Sequence, residues 1–210
     1  MSRVFLASRN AKKLAEMQRI LGEHVPGVVV VGLDDVPAYD EPVEDEPDFA
    51  GNALLKARAG ARVTGLPTIA DDSGLCVDAL NGMPGVLSAR WSGAVDGDKD
   101  RVDDRNNALL LAQLSDVPDE RRGAHFACAV ALVHPDGREL VAHGRMDGRI
   151  IREVRGSGGF GYDVVFVADE HADEGLTSAE LDPAEKDRIS HRGRALRELA
   201  PQVAGLLSGD

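Results

Sequence analysis

The sequence predicts an α/β protein in which one mixed β-sheet is flanked by helices. Its first third alternates apolar runs, which suit buried strands, with segments of helical periodicity. Its middle contains two strand-like segments, Ala124–His134 and Arg138–Arg145, on either side of Pro135-Asp136-Gly137. That tripeptide is a strong turn signal and predicts a hairpin. An α/β beginning followed by an antiparallel middle implies one mixed sheet with helices beside it.

The first half of the chain alternates predicted strands and helices. In the segment 10–22, Leu14, Met17 and Leu21 fall on one helical face, and the valine run at 28–33 is typical of a buried strand. In chain order, the predicted elements are a strand at Val4–Ser8, a helix at Asn10–Gly22, a strand at Val28–Leu33, a helix at Phe49–Val63, strands at Pro67–Asp72 and Leu75–Leu80, and a helix at Arg101–Leu114.

The second half continues from the hairpin with two short strands and a terminal helix. Further strands are predicted at Arg149–Val154 and Val164–Ala168, and the last helix begins near Ser190. We expect Pro201 to kink or split that helix, because proline has no backbone N–H to donate. No internal repeat or low-complexity linker interrupts the chain, so residues 1–210 are predicted to form a single domain.

Composition excludes several classes of protein. The formal net charge of −12 argues against a general nucleic-acid binder, which would carry a basic stripe, but it permits a small anionic ligand held by a few local cations. Cys76 and Cys128 lie far apart, so neither a zinc site nor a disulfide framework is indicated. No apolar run approaches the length of a membrane span or a secretory signal. We therefore expect a cytoplasmic protein without a membrane or nucleic-acid partner.

Two adjacent acids mark the segment TIADDSGLCVDAL, residues 68–80. Asp71 and Asp72 follow an apolar run, and Ser73-Gly74 separates them from a second alternating run. Asp, Ser and Gly are ordinary turn residues, so one interpretation is a polar turn between two strands. Because neighbouring carboxylates repel each other, the other interpretation is a metal and general-base site at the end of a strand. These residues by themselves leave both interpretations open.

A strand, a polar turn and the start of a helix follow one another in LASRNAKKLAE, residues 6–16. The N-terminus of a helix offers N–H groups and a partial positive charge, and Lys12 and Lys13 add full charges in the first turns. The combination favours phosphate binding, although an ordinary capped surface helix would show the same pattern. The segment is not a P-loop, because the Gly-x-x-x-x-Gly-Lys spacing is absent.

The segment GSGGFGYD, residues 156–163, contains the spacing Gly-x-Gly-x-x-Gly. It does not indicate a dinucleotide site, because a strand follows it where that fold requires a helix. One interpretation is a glycine loop that presents Phe160 and Tyr162 for stacking on a base. The other is a hairpin turn with two core aromatic residues.

A third polar motif is EKDRISHRGRAL, residues 185–196. Ser190 is a suitable N-cap, which places His191 and Arg192 in the first turn of a helix. Cations at a helix N-terminus oppose the helix macrodipole. Their placement therefore favours a role in ligand binding over a solvated surface.

In chain order the motifs are SRNAKK, FAGNALLKA (residues 49–57), IADDSGL, GGFGYD and SHRGRAL. This order is the one found in a known family. The chain resembles the inosine/xanthosine triphosphate pyrophosphatase family from Val4 to about Leu199. The resemblance implies Mg²⁺-dependent hydrolysis of non-standard purine nucleoside triphosphates (ITP, dITP and XTP) to the monophosphate and pyrophosphate, which removes deaminated purines from the nucleotide pool. It also implies an elongated mixed sheet, two lobes with a central active-site cleft, and a homodimer.

The resemblance further implies which residues form the site. Asp72 matches the proton acceptor and a metal ligand of the family, and Glu44 is our choice for the second metal ligand among the six acids of residues 40–48. Arg9 departs from the small residue that is usual at its position, which predicts a stiffer loop or an additional phosphate contact. The implied substrate-binding residues are Ser8, Arg9, Asn10, Ala11, Lys12, Lys13, Lys56, Ser73, Phe160, Gly161, Tyr162, Asp163, Lys186, His191 and Arg192.

Two other functions would share parts of this pattern. A non-catalytic nucleotide sensor would keep the lysines and the base loop but would not need Asp71, Asp72 or the acidic loop. A pyrophosphatase of standard or pyrimidine nucleotides, as in the septum-formation proteins, would not need the SHR and GFGYD motifs. The residues present therefore favour a purine-specific enzyme, for which we expect GTP to be the nearest competing substrate because it shares the 6-keto group.

Overall fold

The structure is a computed structural model that describes residues 2–93 and 99–208 of the chain. Within those residues, one sheet of six strands is accompanied by five α-helices. The strands are β1 (Arg3–Leu6), β2 (Val29–Val31), β3 (Thr68–Val77), β4 (Gly123–Val133), β5 (Glu139–Ile150) and β6 (Phe166–Ala168). The helices are α1 (Ala11–His24), α2 (Phe49–Thr64), α3 (Lys99–Gln113), α4 (Pro183–Ile189) and α5 (His191–Ser208).

The strand order is β2-β1-β3-β4-β5-β6, and the pairing confirms a mixed sheet. Strand β1 pairs in parallel with β2, where Val4 lies opposite Val30, and in parallel with β3. Strand β5 pairs antiparallel with β6. The predicted hairpin between β4 and β5 is confirmed, and its turn closes with a 2.9 Å hydrogen bond from the Gly137 N–H to the His134 carbonyl oxygen.

The chain divides into two compact units. The first unit consists of the chain up to Asp72, residues 128–144 and the chain from Arg194 onward. Its main core joins the apolar faces of α1 and α5 to β1 and the middle of β4, with Met17, Leu21 and Leu199 among its buried members. A second cluster of small residues, mostly alanine, packs the buried face of α2 against the sheet. The predicted helical periodicities of α1, α2 and α5 are therefore confirmed as buried faces.

The second unit consists of residues 73–127 and 145–193. Its core contains the second half of β3, the apolar side of α3, and β6, with Phe126 and Phe166 in edge-to-face contact at a centroid distance of 4.7 Å. Short 3₁₀ turns at Gly85–Arg90 and Gly161–Val165 connect these elements. None of the described helices is both long and apolar enough to cross a membrane.

The prediction of separate strands at 67–72 and 75–80 is wrong, because β3 runs without a break from Thr68 to Val77. Gly74 does not make a turn there. A Cβ atom at this position would collide with Ser88 Oγ and with the carbonyl oxygen of Gly85, so the glycine permits close packing. Asp71 and Asp72 consequently lie inside a continuous strand, which excludes the polar-turn interpretation.

The C-terminal region differs from its prediction in three respects. Helix α5 is not split at Pro201, and its buried residues Ala200 and Val203 pack into the first unit's core on either side of the proline. Helix α4 was not predicted, although Asp182 caps it by accepting hydrogen bonds from two backbone N–H groups and Pro183 occupies its first turn. The strand predicted at 149–154 is instead the end of β5, which stops at Ile150.

Candidate functional site

The two adjacent acids of β3 have different partners. Successive side chains of a strand point to opposite faces, so Asp71 and Asp72 contact different neighbours. Both carboxylate oxygens of Asp71 accept hydrogen bonds from Lys13 Nζ, at 2.9 and 2.8 Å, whereas Asp72 Oδ2 accepts one from Asn52 Nδ2 at 2.9 Å. The two acids are neighbours in sequence, but each has its own partner: Lys13 for Asp71 and Asn52 for Asp72.

The Lys13–Asp71 ion pair fixes the lysine of the predicted phosphate loop. Asp71 is 6% exposed and Lys13 is partly buried, so water screens this pair less than it would a surface pair. Both oxygens of the Asp71 carboxylate contact the ammonium group, which restricts the long lysine side chain. We therefore assign Asp71 to the positioning of Lys13, which a triphosphate would contact.

The rest of the phosphate loop forms the turn between β1 and α1. Ser8 Oγ accepts a hydrogen bond from the Asn10 N–H at 3.2 Å, and Asn10 Oδ1 caps the helix at the Lys13 N–H at 3.4 Å. Ala11 is the first residue of α1, whose first turn carries N–H groups without a partner inside the helix. The side chain of Lys12 lies outside the described part of the structure. This geometry is the strand–turn–helix arrangement that suits an anion.

Helix α2 presents Asn52 and Lys56, which are four residues apart and therefore on one helix face. Asn52 is fully buried; it donates to Asp72 and accepts a hydrogen bond from the Glu46 N–H at 3.1 Å. Lys56 Nζ forms a 2.9 Å ion pair with Glu44 Oε1. One face of α2 thus holds the predicted catalytic acid and the predicted second metal ligand.

The acidic segment 40–48 also contacts Arg9 of the predicted phosphate loop. Arg9 forms an exposed ion pair with Glu41, through Nε at 3.1 Å and Nη2 at 2.9 Å. The stiffer loop or additional phosphate contact expected from Arg9 stays a prediction. Together with the contacts of Asn52 and Lys56, this pair anchors the acidic segment to the loop between β1 and α1 and to α2.

The second unit contains the predicted base-binding residues. Phe160 is 51% exposed, and Lys186 Nζ lies 5.1 Å from the centre of its ring, within the range of a cation–π contact. Asp163 is buried and its Oδ2 accepts hydrogen bonds from Lys186 Nζ at 2.5 Å and from the Phe160 N–H at 2.8 Å. Asp163 therefore fixes both the loop and the lysine beside the exposed aromatic ring.

Tyr162 has a different role from Phe160. Its ring is buried in the second unit's core, and its hydroxyl group donates a 2.9 Å hydrogen bond to the carbonyl oxygen of Ser88. Burial raises the pKa of the Tyr162 phenol well above its ordinary value, with a smaller contribution from the negative charge of Asp103. Of the two aromatic residues in this loop, Phe160 is the one whose ring is available to stack on a base.

The SHR motif lies at the start of α5, and packing orients its histidine ring. The His191 ring stacks on Phe126 at a centroid distance of 5.0 Å and an interplanar angle of 10°. Arg192 Nη2 donates to Ser73 Oγ at 3.3 Å, which links two predicted substrate contacts within the second unit. Phe126 holds the histidine ring in one orientation, so His191 can present its ring edge to a ligand.

Asn52 is the residue of this cluster that sequence reasoning did not select. It lies in the FAGNALLKA motif, but an asparagine inside an alanine-rich helix reads as a tolerated polar residue. The available signal was its poor helix propensity on a buried helix face, since a buried amide requires partners. Asp103 and Asn107 of α3, which contact the base loop, were missed for the same reason.

A mixed sheet, a helix start with a positioned lysine, two adjacent acids in a strand and a half-exposed aromatic ring are typical of nucleotide-hydrolysing α/β enzymes. The comparison with known families agrees, since the model of the Ham1 family matches residues 4–202. The chain therefore belongs to the Ham1 family. The predicted resemblance to the inosine/xanthosine triphosphate pyrophosphatases is confirmed.

Similar proteins cover nearly the whole chain. A dITP/XTP pyrophosphatase of Nocardia farcinica is 62% identical over 207 residues, which are 98% of this chain and 97% of the relative. A crystal structure of the nucleoside-triphosphatase (dITP/XTP pyrophosphatase) of Mycobacterium abscessus has 57% identity and a TM-score of 0.77, covering 95% of this chain and 99% of that one. The Ham1 protein of Staphylococcus aureus has 33% identity and a TM-score of 0.84, covering 98% and 100%. The predicted fold class is thus confirmed.

Proposed function

We propose that this protein hydrolyses ITP, dITP and XTP to the corresponding monophosphate and pyrophosphate, using Mg²⁺. The enzyme class is a nucleoside-triphosphate pyrophosphatase, a hydrolase of phosphoric anhydride bonds, as the high identity to the dITP/XTP pyrophosphatases supports. The observation that carries the proposal is the arrangement on α2. Asn52 fixes the acid Asp72, while Lys56, on the same helix face, supplies a cation for phosphate oxygens.

The donor atoms of the first unit suit Mg²⁺. Mg²⁺ prefers hard oxygen ligands and usually combines one or two carboxylates with substrate phosphates and water. Asp72 and Glu44 provide such carboxylates. Among the described residues, no group of three or more His, Cys, Asp or Glu side chains could hold a metal ion, so substrate phosphates and water would have to complete the coordination. We propose Asp72 and Glu44 as the protein ligands. Bound Mg²⁺ supplies positive charge that stabilises the triphosphate and the attacking oxygen.

The protein's own residues then act on the triphosphate in distinct ways. Lys13, which Asp71 positions, and Lys56 neutralise phosphate charge. Asp72 accepts the proton of the water that attacks the α-phosphorus, and the bond to the β-phosphate oxygen breaks to release pyrophosphate. The buried amide of Asn52 keeps one oxygen of Asp72 occupied, so the carboxylate is held in one orientation for this step.

The base preference follows from hydrogen-bond chemistry in the second unit. Hypoxanthine and xanthine present a 6-keto acceptor, whereas adenine presents a 6-amino donor. Lys186, His191 and Arg192 are the proposed side-chain donors, and Phe160 is the stacking surface. Donors that face the 6-position gain a bond with a keto base and meet another donor with adenine. A site of paired polar groups rejects such a mismatch by about 10⁴-fold or more.

Parallel hydrolysis assays of ITP, dITP, XTP, GTP and ATP, with separate detection of pyrophosphate and phosphate, test this proposal. We expect pyrophosphate as product, strong preference for ITP, dITP and XTP over ATP, and GTP as the nearest competitor. EDTA should abolish turnover and added Mg²⁺ should restore it. Equal hydrolysis of ATP and ITP, or turnover undiminished in EDTA, would contradict the proposal. The homodimer and the cytoplasmic location stay predictions, for which light scattering and cell fractionation are the direct measurements.

A further inference from the structure

Helix α3 holds one peptide unit of the base loop on both sides. Asp103 Oδ2 accepts a hydrogen bond from the Gly161 N–H at 2.8 Å, and Asn107 Nδ2 donates one to the Gly161 carbonyl oxygen at 2.9 Å. Asp103 and Asn107 are one helical turn apart, so they project from the same side of α3. Their two side chains thus form a clamp on Gly161, which we call the α3 clamp.

The clamped residue determines where the exposed aromatic ring lies. Gly161 has a φ of +60°, which is in the left-handed region that favours glycine, and a Cβ at this position would meet nothing within 4 Å. The glycine is therefore required by backbone conformation and not by crowding. It stands between Phe160, whose ring is exposed, and Tyr162, whose ring is buried. A change at Gly161 would move the stacking ring relative to its buried neighbour.

Asn107 has an energetic peculiarity that supports a dedicated role. Its Nδ2 donates to the carbonyl oxygens of both Gly161 and Asp103, which fixes the amide orientation. The residue is only 3% exposed, and its Oδ1 is buried without a hydrogen-bond partner among the described residues. A buried acceptor without a partner destabilises a protein, and asparagine is a poor helix former. Its two donor bonds are the structural reason for an asparagine at this position.

We propose that Asp103 and Asn107 are positioning residues for purine recognition, and that they act by holding Gly161 so that Phe160 is placed for stacking beside Lys186. This inference rests on the proposed function, because it concerns the base end of the same substrate. Neither residue contacts the reacting phosphates in this proposal. Loss of the clamp should therefore weaken and broaden base recognition while the hydrolytic step is retained.

The sharpest test compares three variants of neighbouring positions on α3. Asp103→Ala removes the acceptor of the Gly161 N–H, whereas Asp103→Asn retains an oxygen acceptor without the charge. Asp104→Ala is the matched control, because it removes the same charge from the next, exposed position of the helix. Each variant is examined by amide hydrogen exchange of the loop 158–163 in the ligand-free protein, and by kcat and KM for ITP and ATP.

We expect Asp103→Ala to accelerate exchange at Gly161, to raise KM for ITP by about 10- to 100-fold, the effect of losing one charge-assisted hydrogen bond, and to change kcat by less than about threefold. The ratio of kcat/KM for ITP to that for ATP should fall. Asp103→Asn should recover most of the loss, and Asp104→Ala should behave as wild type.

Two results would overturn the inference: unchanged exchange of the loop in Asp103→Ala, or accelerated exchange with an unchanged KM and base preference. An equal effect of Asp104→Ala would also overturn it, because the cause would then be helix charge. Failure of the proposed function is distinguishable, since it would appear as absent ITP preference in the wild-type protein. The exchange measurement does not depend on activity, so it reports on the clamp in either case.

Discussion

Asn52 provides the most direct test of how Asp72 is held for chemistry. Its amide bridges the Asp72 carboxylate and the N–H of Glu46, and it is fully buried. Asn52→Ala removes both hydrogen bonds. Asn52→Asp keeps the shape and the acceptor for Glu46, but it replaces the donor to Asp72 with an oxygen. The two variants therefore separate loss of packing from loss of the hydrogen bond to Asp72, the proposed catalytic acid.

The expected magnitudes follow from the two hydrogen bonds. The neutral bond to Glu46 contributes about 1 kcal/mol and the charge-assisted bond to Asp72 about 1.5–3 kcal/mol, so Asn52→Ala should lower the free energy of unfolding by about 2.5–4 kcal/mol. For a chain of this size that corresponds to a Tm decrease of roughly 5–15 °C. In Asn52→Asp, two carboxylates at the observed 2.9 Å would repel by about 6 kcal/mol at an effective dielectric constant of about 20.

Steady-state hydrolysis of ITP, with thermal unfolding of each variant, measures these effects. We expect kcat to fall by about 10²-fold in both variants, the effect of misplacing a catalytic group by about 1 Å, while KM stays within a few-fold. Arg58→Ala is the control on the same helix, because Arg58 forms an exposed ion pair with Glu139. This substitution should leave kcat unchanged and should change the free energy of unfolding by no more than about 1 kcal/mol. A folded Asn52→Asp variant with wild-type kcat would refute the positioning of Asp72 by Asn52.

Three further predictions use other parts of the structure. Asp72→Asn should lower kcat for ITP by about 10²–10⁴-fold while the protein stays folded, and retention of more than about a tenth of turnover would contradict its role as base. Lys13→Ala and Lys56→Ala should raise KM for all triphosphates alike, and a change confined to one base would contradict phosphate binding. The pKa of His171 is raised, first by its hydrogen bond to Glu174, so its ion pairs stabilise the folded state fully below the ordinary pKa of 6.5 and lose this effect as the pH rises through the raised value. His171→Gln should therefore lower Tm by about 1–4 °C at pH 6 and by less at pH 9, and an equal decrease at both pH values would exclude this linkage.

The sequence was informative where a local pattern decides the structure. Helical periodicity predicted α1, α2 and α3 to within two residues at each end, and the Pro135-Asp136-Gly137 signal predicted the β4–β5 hairpin. It failed where packing overrides local preference. Gly74 was read as a turn residue, but its lack of a side chain serves close contact with Ser88, which lies fourteen residues away in sequence. Local patterns do not contain such contacts.

The site was predictable by residue but not by partnership. The motifs predicted Asp72, Lys13 and Lys56 as site residues. Nothing in their spacing indicates that Lys13 pairs with Asp71 or that Lys56 pairs with Glu44. Those pairs join residues that are 58 and 12 positions apart, and they depend on how α1 and α2 pack on the sheet. The assignment of substrate contacts to individual residues stays a prediction, which the kinetic variants above would decide.

The ion pairs of the first unit also resolve how a chain with a net charge of −12 can bind a polyanion. Lys13, Lys56 and Arg9 each pair with a carboxylate, so their side chains are already positioned and their charges are partly neutralised. A triphosphate that binds there meets cations that are already positioned and need not assemble a cation cluster. Glu44, the partner of Lys56, is the kind of ligand that a hard divalent cation prefers. Binding of the triphosphate and binding of the metal are therefore expected to favour each other, because each removes the charge that opposes the other.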